Sequence, residues 1–399
     1  MAHQLALITH ILHPAVVNGF LPAAMDMGYE VVLVTDRGLE HKKFFVDHPQ
    51  RLPARIIECD VFNPIAVIEA LDTQGVNPSC VFSNSDHLQT VTALVANYFA
   101  LPGKSWTCCY RAKNKSAMRN HLRELGLPST QSLLLWPGQG VPESLPCPVV
   151  AKPHKGAASQ DVQLCRTHGE LAEVVKAFHR HHPASPLLLE GYLEGPLFTL
   201  ETLGDGTRIE AVGGFDVRLS EEPHFVELEA VWNGEVSMAH RHQALAQVEA
   251  FGVNFGVCHS EFIATPTGPR LVEINYRSIG DGREFLLDRL LPSGWFKPIL
   301  QVHAGQPLRE PPSSQQRAII RYLPARQEGT LVHIDGDFES QRDGITRRFR
   351  ALKQVGDEIR LHHSNRDYLG EVTAIGPADT DLASGIAALC DAINWRIAP

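Results

Sequence analysis

Two glutamates occupy opposing positions of a predicted β-hairpin, where their pairing would place two carboxylates side by side. The hairpin runs from His259 to Asn275, and apolar and polar residues alternate on both sides of a Thr-Pro-Thr-Gly-Pro turn. Pairing about Thr267 sets Glu261 opposite Glu273 and His259 opposite Asn275. Because side chains alternate along a strand, all four are predicted to lie on one face.

Facing carboxylates repel each other, so this arrangement favours a bound cation. A hard divalent cation such as Mg²⁺ takes oxygen ligands from one or two carboxylates and fills its other positions with phosphate and water. Arg277, Gly280 and Gly282 follow the second strand and add a cation and flexible backbone, which suits phosphoryl chemistry. The alternative is that both glutamates are solvated on the open face of an antiparallel hairpin.

Composition and charge narrow the class of protein. The 399 residues are 44% hydrophobic and 20% charged, which is typical of a globular protein with several structural units. A formal net charge of −9 without a dense Lys/Arg cluster argues against nucleic-acid binding. No apolar run is long enough to span a bilayer, and the first ten residues do not resemble a signal peptide. We therefore expect small-molecule chemistry, with no membrane partner.

The eight cysteines and the histidine-rich segment give no sign of a metal or disulfide framework. The cysteines contain no Cys-x-x-Cys pair, which is typical of reduced thiols and predicts a cytoplasmic location. The run from His179 to His182 precedes Pro183, so it is interpreted as a solvated helix end rather than a transition-metal site.

The first hundred residues predict a small parallel α/β domain. Apolar strands are predicted at 5–9, 31–35, 55–59 and 80–83, with helical patterns between them. No Gly-x-Gly-x-x-Gly follows the first strand, so a dinucleotide site is unsupported. The segment from Ser83 to His87 is either a helix N-cap, the favoured interpretation, or a ligand-binding turn.

Further along the chain, the elements suggest four domains: an N-terminal α/β domain at 1–105, a small lobe at 106–188, a large lobe at 189–312 and a strand-rich subdomain at 313–399. Helices are predicted at 110–126, 240–251, 283–291 and 379–396, and a linker at 305–314.

Between 149 and 163 a strand carrying Lys152 is followed by a loop of small residues and a second strand. This is not a Walker loop, but its backbone N–H groups could bind phosphates.

This order of motifs resembles the ATP-grasp superfamily of carboxylate-amine ligases, in particular the L-amino acid ligases and related natural-product ligases, and the resemblance covers nearly the whole chain. It implies an ATP-grasp fold of mixed α/β (α+β) type. Lys115, before Met118-Arg119, corresponds to the first phosphate-binding lysine of the family, and Lys152-Pro153 corresponds to the second. Gly156 and Ser159 then belong to the loop that covers the phosphates.

The resemblance also implies the remaining nucleotide and metal ligands. Glu190 lies in the strand where the backbone at Tyr192 and Leu193 would bind the adenine edge. Glu261, Glu273 and Asn275 match the magnesium ligands of the family, and Arg277 matches the arginine that holds the transferred phosphoryl group.

Three positions depart from the family pattern. Asn114 replaces a frequent aspartate, Asp161 replaces a frequent glycine, and Leu197 stands where a glutamate often binds the ribose hydroxyls. Glu194 or Glu201 is then expected to take over the ribose contact. No metal ligand or phosphate lysine is lost, so an active enzyme is expected.

The family chemistry predicts an ATP-dependent ligase that uses Mg²⁺, or alternatively Mn²⁺, and forms an amide through an acyl phosphate. Lys115, Lys152 and Arg277 would be the catalytic cations. The substrates would be an amino acid or small polycarboxylate and an amine, in peptide natural-product or siderophore biosynthesis. The sequence leaves the oligomeric state open, with a homodimer as one option because dimers are frequent in the family.

Substrate recognition is less well defined. Arg218 is a candidate clamp for a substrate carboxylate or a solvated strand residue, and Asp281 either holds a substrate ammonium or caps a helix. Ser278 is a further substrate candidate beside Arg277. His259 is interpreted as a core histidine bonded to Asn275 in preference to a general base.

Two other functions remain compatible with these residues. A phosphotransferase or acid-thiol ligase could use the same scaffold. A nucleotide-binding regulatory subunit without turnover is the second alternative, although such a protein has little use for metal ligands together with Arg277.

Overall fold

A parallel four-stranded sheet begins the chain and carries one wall of the cavity described below. The structure is a computed structural model and describes residues 3–154, 160–309 and 314–399. The strands, in the spatial order β3-β2-β1-β4, are β1 (Gln4–Ile8), β2 (Glu30–Thr35), β3 (Arg55–Glu58) and β4 (Cys80–Phe82). All four predicted strands are confirmed. Their apolar side chains are buried on both faces, as expected when helices cover a parallel sheet.

Helices connect these strands, as parallel pairing requires. They are a helical segment Ala15–Phe20 that continues into α1 (Leu21–Asp26), then α2 (Gly38–Asp47), a short turn Pro49–Arg51, α3 (Pro64–Thr73) and α4 (Gln89–Tyr98). The strand ends and the loops that follow β1 and β4 point toward the rest of the molecule, where ligands of such sheets usually bind.

The helix predicted at 110–126 is in fact two helices, α5 (Trp106–Lys113) and α6 (Lys115–Glu124). Asn114 has extended dihedral angles, and its side-chain oxygen accepts a hydrogen bond from the Ala117 N–H at 2.9 Å. Asn is a favoured N-cap because it competes with the helix for backbone groups, so the single-helix prediction was wrong at this residue. The break places Lys115 at the first position of α6.

The next unit is a small antiparallel sheet with one helix against it. Its strands, in the order β5-β8-β6-β7, are β5 (Ser132–Leu135), β6 (Val149–Pro153), β7 (Gln163–Cys165) and β8 (Leu187–Gly191), and α7 (His168–His181) packs on them. The two predicted strands on either side of the small-residue loop are confirmed, and most of that loop, residues 155–159, lies outside the described residues. The histidine run ends α7, as predicted from the following proline.

The large sheet contains ten strands of the described residues. The order is β14-β13-β9-β11-β12-β15-β20-β18-β17, with β10 paired to β9. The strands are β9 (Leu197–Asp205), β10 (Ile209–Gly213), β11 (Phe215–Leu219), β12 (Glu227–Trp232), β13 (Phe255–Thr265), β14 (Gly268–Asn275), β15 (Arg317–Pro324), β17 (Phe338–Arg342), β18 (Ile345–Ala351) and β20 (Tyr368–Gly376). Because β12 is hydrogen-bonded to β15, the C-terminal strands continue the sheet that carries the hairpin.

Three helices accompany this sheet, and a smaller sheet completes the chain. The helices are α8 (Glu235–Phe251), α9 (Arg283–Leu290) and α10 (Phe296–His303). The smaller sheet, in the order β19-β16-β21, consists of β16 (Gly329–Ile334), β19 (Glu358–Ile359) and β21 (Trp395–Ala398), and a short helical turn covers Asn365–Asp367.

The predicted C-terminal helix is shorter than expected. The helix α11 (Leu382–Ala392) starts at the N-cap Asp381 and ends before the strand β21. Ile397 on that strand is buried together with Leu331 of β16, so a pairing partner distant in sequence decides the conformation of the last residues. The division into four domains stays a prediction; β8 runs across its boundary at residue 188.

Within the described ranges, no helix combines the length and apolar character needed to cross a membrane.

Lys104 ties the N-terminal sheet region to the end of the hairpin. Its buried ammonium group donates to Gln89 Oε1 at 2.8 Å and to the Tyr276 carbonyl oxygen at 2.6 Å. The ammonium also lies 4.4 Å from the centre of the Tyr276 ring. Burial lowers the pKa of Lys104 to about 8. This residue therefore fixes the backbone immediately before Arg277.

The lowered pKa of Lys104 predicts a pH dependence of stability. Unfolding restores the ordinary value of 10.5, so the unfolded chain binds the proton more readily, and the free energy of unfolding should decrease as the pH falls from about 10.5 through 8. The size of this contribution is about 3 kcal/mol. Urea unfolding across this pH range should show the decrease in the wild-type protein and lack it in Lys104→Met. The exposed Lys42→Met variant should show the same decrease as the wild-type protein. A decrease of the same size in Lys104→Met would mean that Lys104 does not cause it.

Candidate active site

A cavity of about 460 Å³ lies where the N-terminal sheet, the small sheet, the hairpin and the C-terminal strands meet. This volume is within the range of small-molecule binding sites. The N-terminal domain contributes the loops after β1 and β4, and the small sheet contributes β6 and β8. The polar residues of the wall include His10, His13, Asn84, Asp86, His87, Lys115, Arg119, Lys152, Glu190, Glu227, His259, Glu261, Glu273, Asn275, Arg277, Ser278, Asp281, Arg283 and Asn365.

The hairpin has the predicted pairing but a tighter turn. Glu261 pairs with Glu273 and His259 with Asn275, as expected. Thr265 pairs with Gly268 at the turn, whereas a hairpin centred on Thr267 would pair Thr265 with Pro269. The pairing next to the turn is therefore shifted by one residue from the prediction. A bulge between Glu261 and Phe262 takes up the extra residue of the second strand and restores the predicted pairs. All four polar side chains face the cavity.

Protein cations already offset the repulsion between the two carboxylates. Lys115 Nζ donates to Glu273 Oε1 at 2.8 Å, and the Asn275 amide donates to Glu261 Oε1 at 3.3 Å. Burial would lower the pKa of Lys115, but the charge of Glu273 raises it above its ordinary value. A predicted phosphate-binding lysine and a predicted metal ligand are therefore in direct contact.

The donor chemistry of this group fits a hard divalent cation. Two carboxylates and the amide oxygen of Asn275 are oxygen ligands of the kind Mg²⁺ prefers when phosphate supplies the rest of its shell. The described residues contain no cluster of three His, Cys, Asp or Glu side chains arranged as a self-sufficient metal site. A metal here would accordingly depend on a ligand that brings its own oxygen atoms.

His259 links the buried carboxylate of Glu201 to the half-buried carboxylate of Glu261, which differs from the predicted contact with Asn275. Its Nδ1 lies 2.7 Å from Glu201 Oε1, and its Nε2 lies 3.4 Å from Glu261 Oε1. Thr199 donates to the same oxygen of Glu201 at 3.0 Å. Although burial would lower it, these carboxylates raise the pKa of His259 to about 9. The imidazolium holds Glu261 in place, and Asn275 is its partner only in the strand pairing.

A buried triad connects the small sheet to the hairpin. Arg119 Nε donates to Glu190 Oε1 and Lys152 Nζ lies beside Glu190 Oε2, each at 2.5 Å. Arg119 also donates to the carbonyl oxygens of Leu271 and Val272 at 2.8 and 2.7 Å. Burial alone would raise the pKa of Glu190, but Lys152 and Arg119 lower it to about 2. Glu190 is thus an ionised anchor for Lys152.

The predicted nucleotide contacts are only partly within the described residues. Tyr192 and Leu193 line the cavity directly after Glu190. Gly156 and Ser159 lie outside the described residues. Glu201 is fully buried and bonded to His259, so of the two residues named for the ribose contact only Glu194 is exposed.

Arg277 and Ser278 lie just after the second strand of the hairpin and line the cavity. Arg277 lines the cavity and donates to the Ser278 carbonyl oxygen at 2.7 Å. Ser278 is fully buried; its backbone N–H donates to Asn84 Oδ1 at 3.1 Å and its hydroxyl accepts from Trp295 Nε1 at 2.8 Å. The hydroxyl therefore has a structural partner, and its predicted substrate role stays a prediction.

The segment from Ser83 to His87 lines the cavity instead of capping α4. The helix begins at Gln89 without a side-chain cap, so the N-cap interpretation was wrong. Asp86 forms an ion pair with Lys113. The turn is held by the Gln89 amide, which donates to the carbonyl oxygens of Ser83 and Ser85.

Asp281 lies at the far end of the cavity in a cluster that sequence reasoning largely missed. Asn365 Nδ2 donates to Asp281 Oδ2 at 3.2 Å, and Arg283 forms an ion pair of 2.8 Å with the buried Glu227. Asp281 itself has a positive φ of 56° and does not cap α9, whose N-cap is Gly282. Glu227, Arg283 and Asn365 come from three separate segments, and no local motif marked them.

Arg218 does not reach the cavity. Its side chain is 53% exposed and its Nε lies 3.7 Å from Glu229 Oε1. On the same strand Leu219 lines the cavity, so the alternation of β11 sends Arg218 away from the site. Arg218 is therefore a solvated strand residue, the second of the two interpretations of the sequence.

The buried triad predicts a large effect of charge removal. Glu190→Gln would leave Arg119 and Lys152 buried without their shared carboxylate, which should lower the free energy of unfolding by about 3 to 5 kcal/mol. Chemical denaturation at neutral pH measures this change. Glu194→Gln, an exposed position four residues away, should change stability by less than about 0.5 kcal/mol. Equal stability of the two variants would show that the triad does not hold the small sheet.

Comparison with known proteins agrees with this architecture. Residues 321–398 match the family model of L-amino acid ligase C-terminal domain 2. The chain is 25% identical over 331 residues to uncharacterized protein y4rH of Sinorhizobium fredii, a match that covers 80% of this chain and 68% of that protein. It is 23% identical over 368 residues to carnosine synthase 1 of Gallus gallus, covering 82% of this chain but only 38% of that protein.

Solved structures extend the likeness over the full length. The L-amino acid ligase from Bacillus licheniformis superposes with a TM-score of 0.79 at 20% identity, covering 100% of this chain and 99% of that one. The biotin carboxylase domain of the Hydrogenobacter thermophilus 2-oxoglutarate carboxylase, solved with MgADP and bicarbonate, gives a TM-score of 0.69 at 15% identity, covering 100% and 91%. The chain therefore has the ATP-grasp fold of these neighbours, and its last strands match a C-terminal domain of L-amino acid ligases.

Proposed function

We propose that this protein is an ATP-dependent ligase that joins a carboxylate to an amine through an acyl phosphate. One observation carries the proposal: the paired Glu261 and Glu273, the ammonium of Lys115 and the guanidinium of Arg277 line a single cavity at the end of the hairpin. Adjacent carboxylates and cations in a partly closed cavity suit the transfer of a phosphoryl group, where charge neutralisation carries most of the catalysis. The likeness to L-amino acid ligase supports the amide-forming reaction.

The nucleotide would lie between the small sheet and the hairpin. Its adenine would contact the backbone at Tyr192 and Leu193, and its phosphates would contact Lys115 and Lys152, with Gly156 and Ser159 in the covering loop. The neighbouring structure with MgADP supports this choice of nucleotide and metal. Glu261, Glu273 and Asn275 would hold Mg²⁺, or Mn²⁺ in its place, and the metal would neutralise phosphate charge.

The charged residues then have distinct roles in the reaction. Lys115 is paired with Glu273, and it would contact the phosphates if that carboxylate held a metal. Lys152 would be held at the phosphates by Glu190, whose pKa of about 2 keeps its carboxylate ionised at neutral pH. Arg277 would hold the phosphoryl group during its transfer to the substrate carboxylate. The amine would then displace phosphate to form the amide.

The substrate end of the cavity is polar and contains charges of both signs. Asp281, Glu227 and Arg283 lie together there, and Asn365 of the C-terminal strands reaches the same place. This combination suits a zwitterionic amino acid, with Asp281 holding its ammonium group, better than an apolar acid. A role in peptide natural-product or siderophore biosynthesis, a cytoplasmic location and a homodimer belong to the same proposal.

The test is release of ADP from Mg-ATP across a matrix of amino acids, small polycarboxylates and amines. Stimulation should require one acid and one amine, and the amide should be identified by mass spectrometry. Glu273→Gln should lower kcat about 10² to 10³-fold because it removes a metal ligand and the partner of Lys115. The exposed Glu249→Gln, on α8, serves as the matched control.

Trapping with hydroxylamine separates the competing reactions. A hydroxamate formed from acid, ATP and hydroxylamine would demonstrate the activated acyl group. A stable phosphate ester would instead identify a phosphotransferase, and nucleotide binding without ADP release under any combination would identify a regulatory protein.

A further inference from the structure

His13 sits in the loop after β1, and its backbone contacts fix the orientation of its ring. Its Nδ1 accepts a hydrogen bond from the Ala15 N–H at 3.2 Å, and its carbonyl oxygen accepts from the N–H groups of Val16 and Val17 at 2.9 and 3.1 Å. A backbone N–H can only donate, so Nδ1 carries no proton in this arrangement. The neutral ring must therefore carry its proton on Nε2.

The Nε2–H group is available to a ligand. His13 lines the cavity together with Arg277 and Asp281, and no hydrogen bond joins Nε2 to any of the described residues. Burial and the charge of Arg277 lower the pKa of His13, against a smaller opposing effect of Asp281, so the ring is neutral at neutral pH. These are the charged groups that act on it, and they are the residues assigned above to the phosphoryl group and the substrate ammonium.

Two of the other cavity histidines, His10 and His259, differ in this respect. His10 Nδ1 lies 2.7 and 2.8 Å from the two carboxylate oxygens of Asp36, so that nitrogen carries a proton. His259 has a carboxylate at each ring nitrogen. His13 thus combines an accepting Nδ1, fixed by the backbone, with an unengaged donor at the cavity surface.

We propose that His13 is a catalytic residue of the ligase reaction, whose Nε2–H donates a hydrogen bond to the oxygen of the reacting carboxyl group. This inference rests on the proposed function and deepens it. When the amine adds to the acyl carbon, the carbonyl oxygen gains negative charge, and a fixed neutral donor stabilises it without an ionic partner. The C–N bond forms, the bond between carbonyl carbon and phosphate oxygen breaks, the amine proton leaves with phosphate, and His13 keeps its proton throughout.

Two substitutions separate the donor from the loop contact. In His13→Asn the side-chain oxygen can still accept from the Ala15 N–H two residues on, as Asn does in turns, but the donor at the cavity is lost. In His13→Gln the longer amide can reach the position of Nε2 with an N–H, while the accepting Nδ1 is lost. We expect kcat for amide formation to fall about 10² to 10³-fold in His13→Asn, with KM for ATP unchanged, and to recover at least about tenfold of that loss in His13→Gln.

The reverse order would overturn the proposal. Near wild-type kcat in His13→Asn, or a loss in His13→Gln that equals or exceeds it, would mean that His13 serves only the loop. Thermal unfolding of both variants shows whether a loss of activity reflects a loss of folding.

A second measurement is independent of turnover. Spectra of ¹⁵N-histidine-labelled protein, assigned by difference with His13→Asn, should show Nε2 protonated and Nδ1 unprotonated at neutral pH. An Nδ1–H tautomer would exclude the proposed donor. If the wild-type protein forms no amide with any acid and amine, the proposed function fails while these spectra still decide whether the donor exists.

Discussion

The pairing of Glu261 with Glu273 is the constraint on which the rest of the site depends. Two carboxylates held opposite each other at the edge of a sheet must be compensated, and the fold supplies Lys115 from the start of α6 and the His259 imidazolium from the same strand. Each compensating residue needs its own support. Asn114 starts α6 at Lys115, and the fully buried Glu201 fixes His259. The charges of the site are therefore a connected set.

This arrangement differs from the simplest interpretation of paired carboxylates. Repulsion on its own does not establish a metal, because cationic side chains already balance the charge. The stronger support for a metal is the position of Lys115. It contacts Glu273, a predicted metal ligand, and lies in the cavity where phosphates would bind, so Lys115 and Glu273 could each take a new partner. If Glu273 held a metal and Lys115 contacted the phosphates, each side chain would replace its present partner with another of opposite charge.

Local sequence was sufficient to predict the hairpin pairs, but it could not predict the distant residues that hold the hairpin in place. The alternation and the turn residues predicted the pairs at Glu261 and Glu273, and they would have missed the bulge because a bulge depends on tertiary context. The ion pair of Arg119 with Glu190 joins residues 71 positions apart, and the bond between Asn365 and Asp281 spans 84 positions. No periodicity in the sequence carries such information. The break at Asn114 could have been found, because Asn followed by a helical pattern is a familiar N-cap.

The hydrogen bonds between β12 and β15 also limit how the protein can move. They make the C-terminal strands and the hairpin parts of one continuous sheet, so Asn365 stays in register with Asp281. The small sheet has no strand pairing with that body in the described residues, and the Glu190 triad is its charged connection to the hairpin. Any displacement of the small sheet relative to that body would therefore have to move or break the hydrogen bonds from Arg119 to the Leu271 and Val272 carbonyl oxygens.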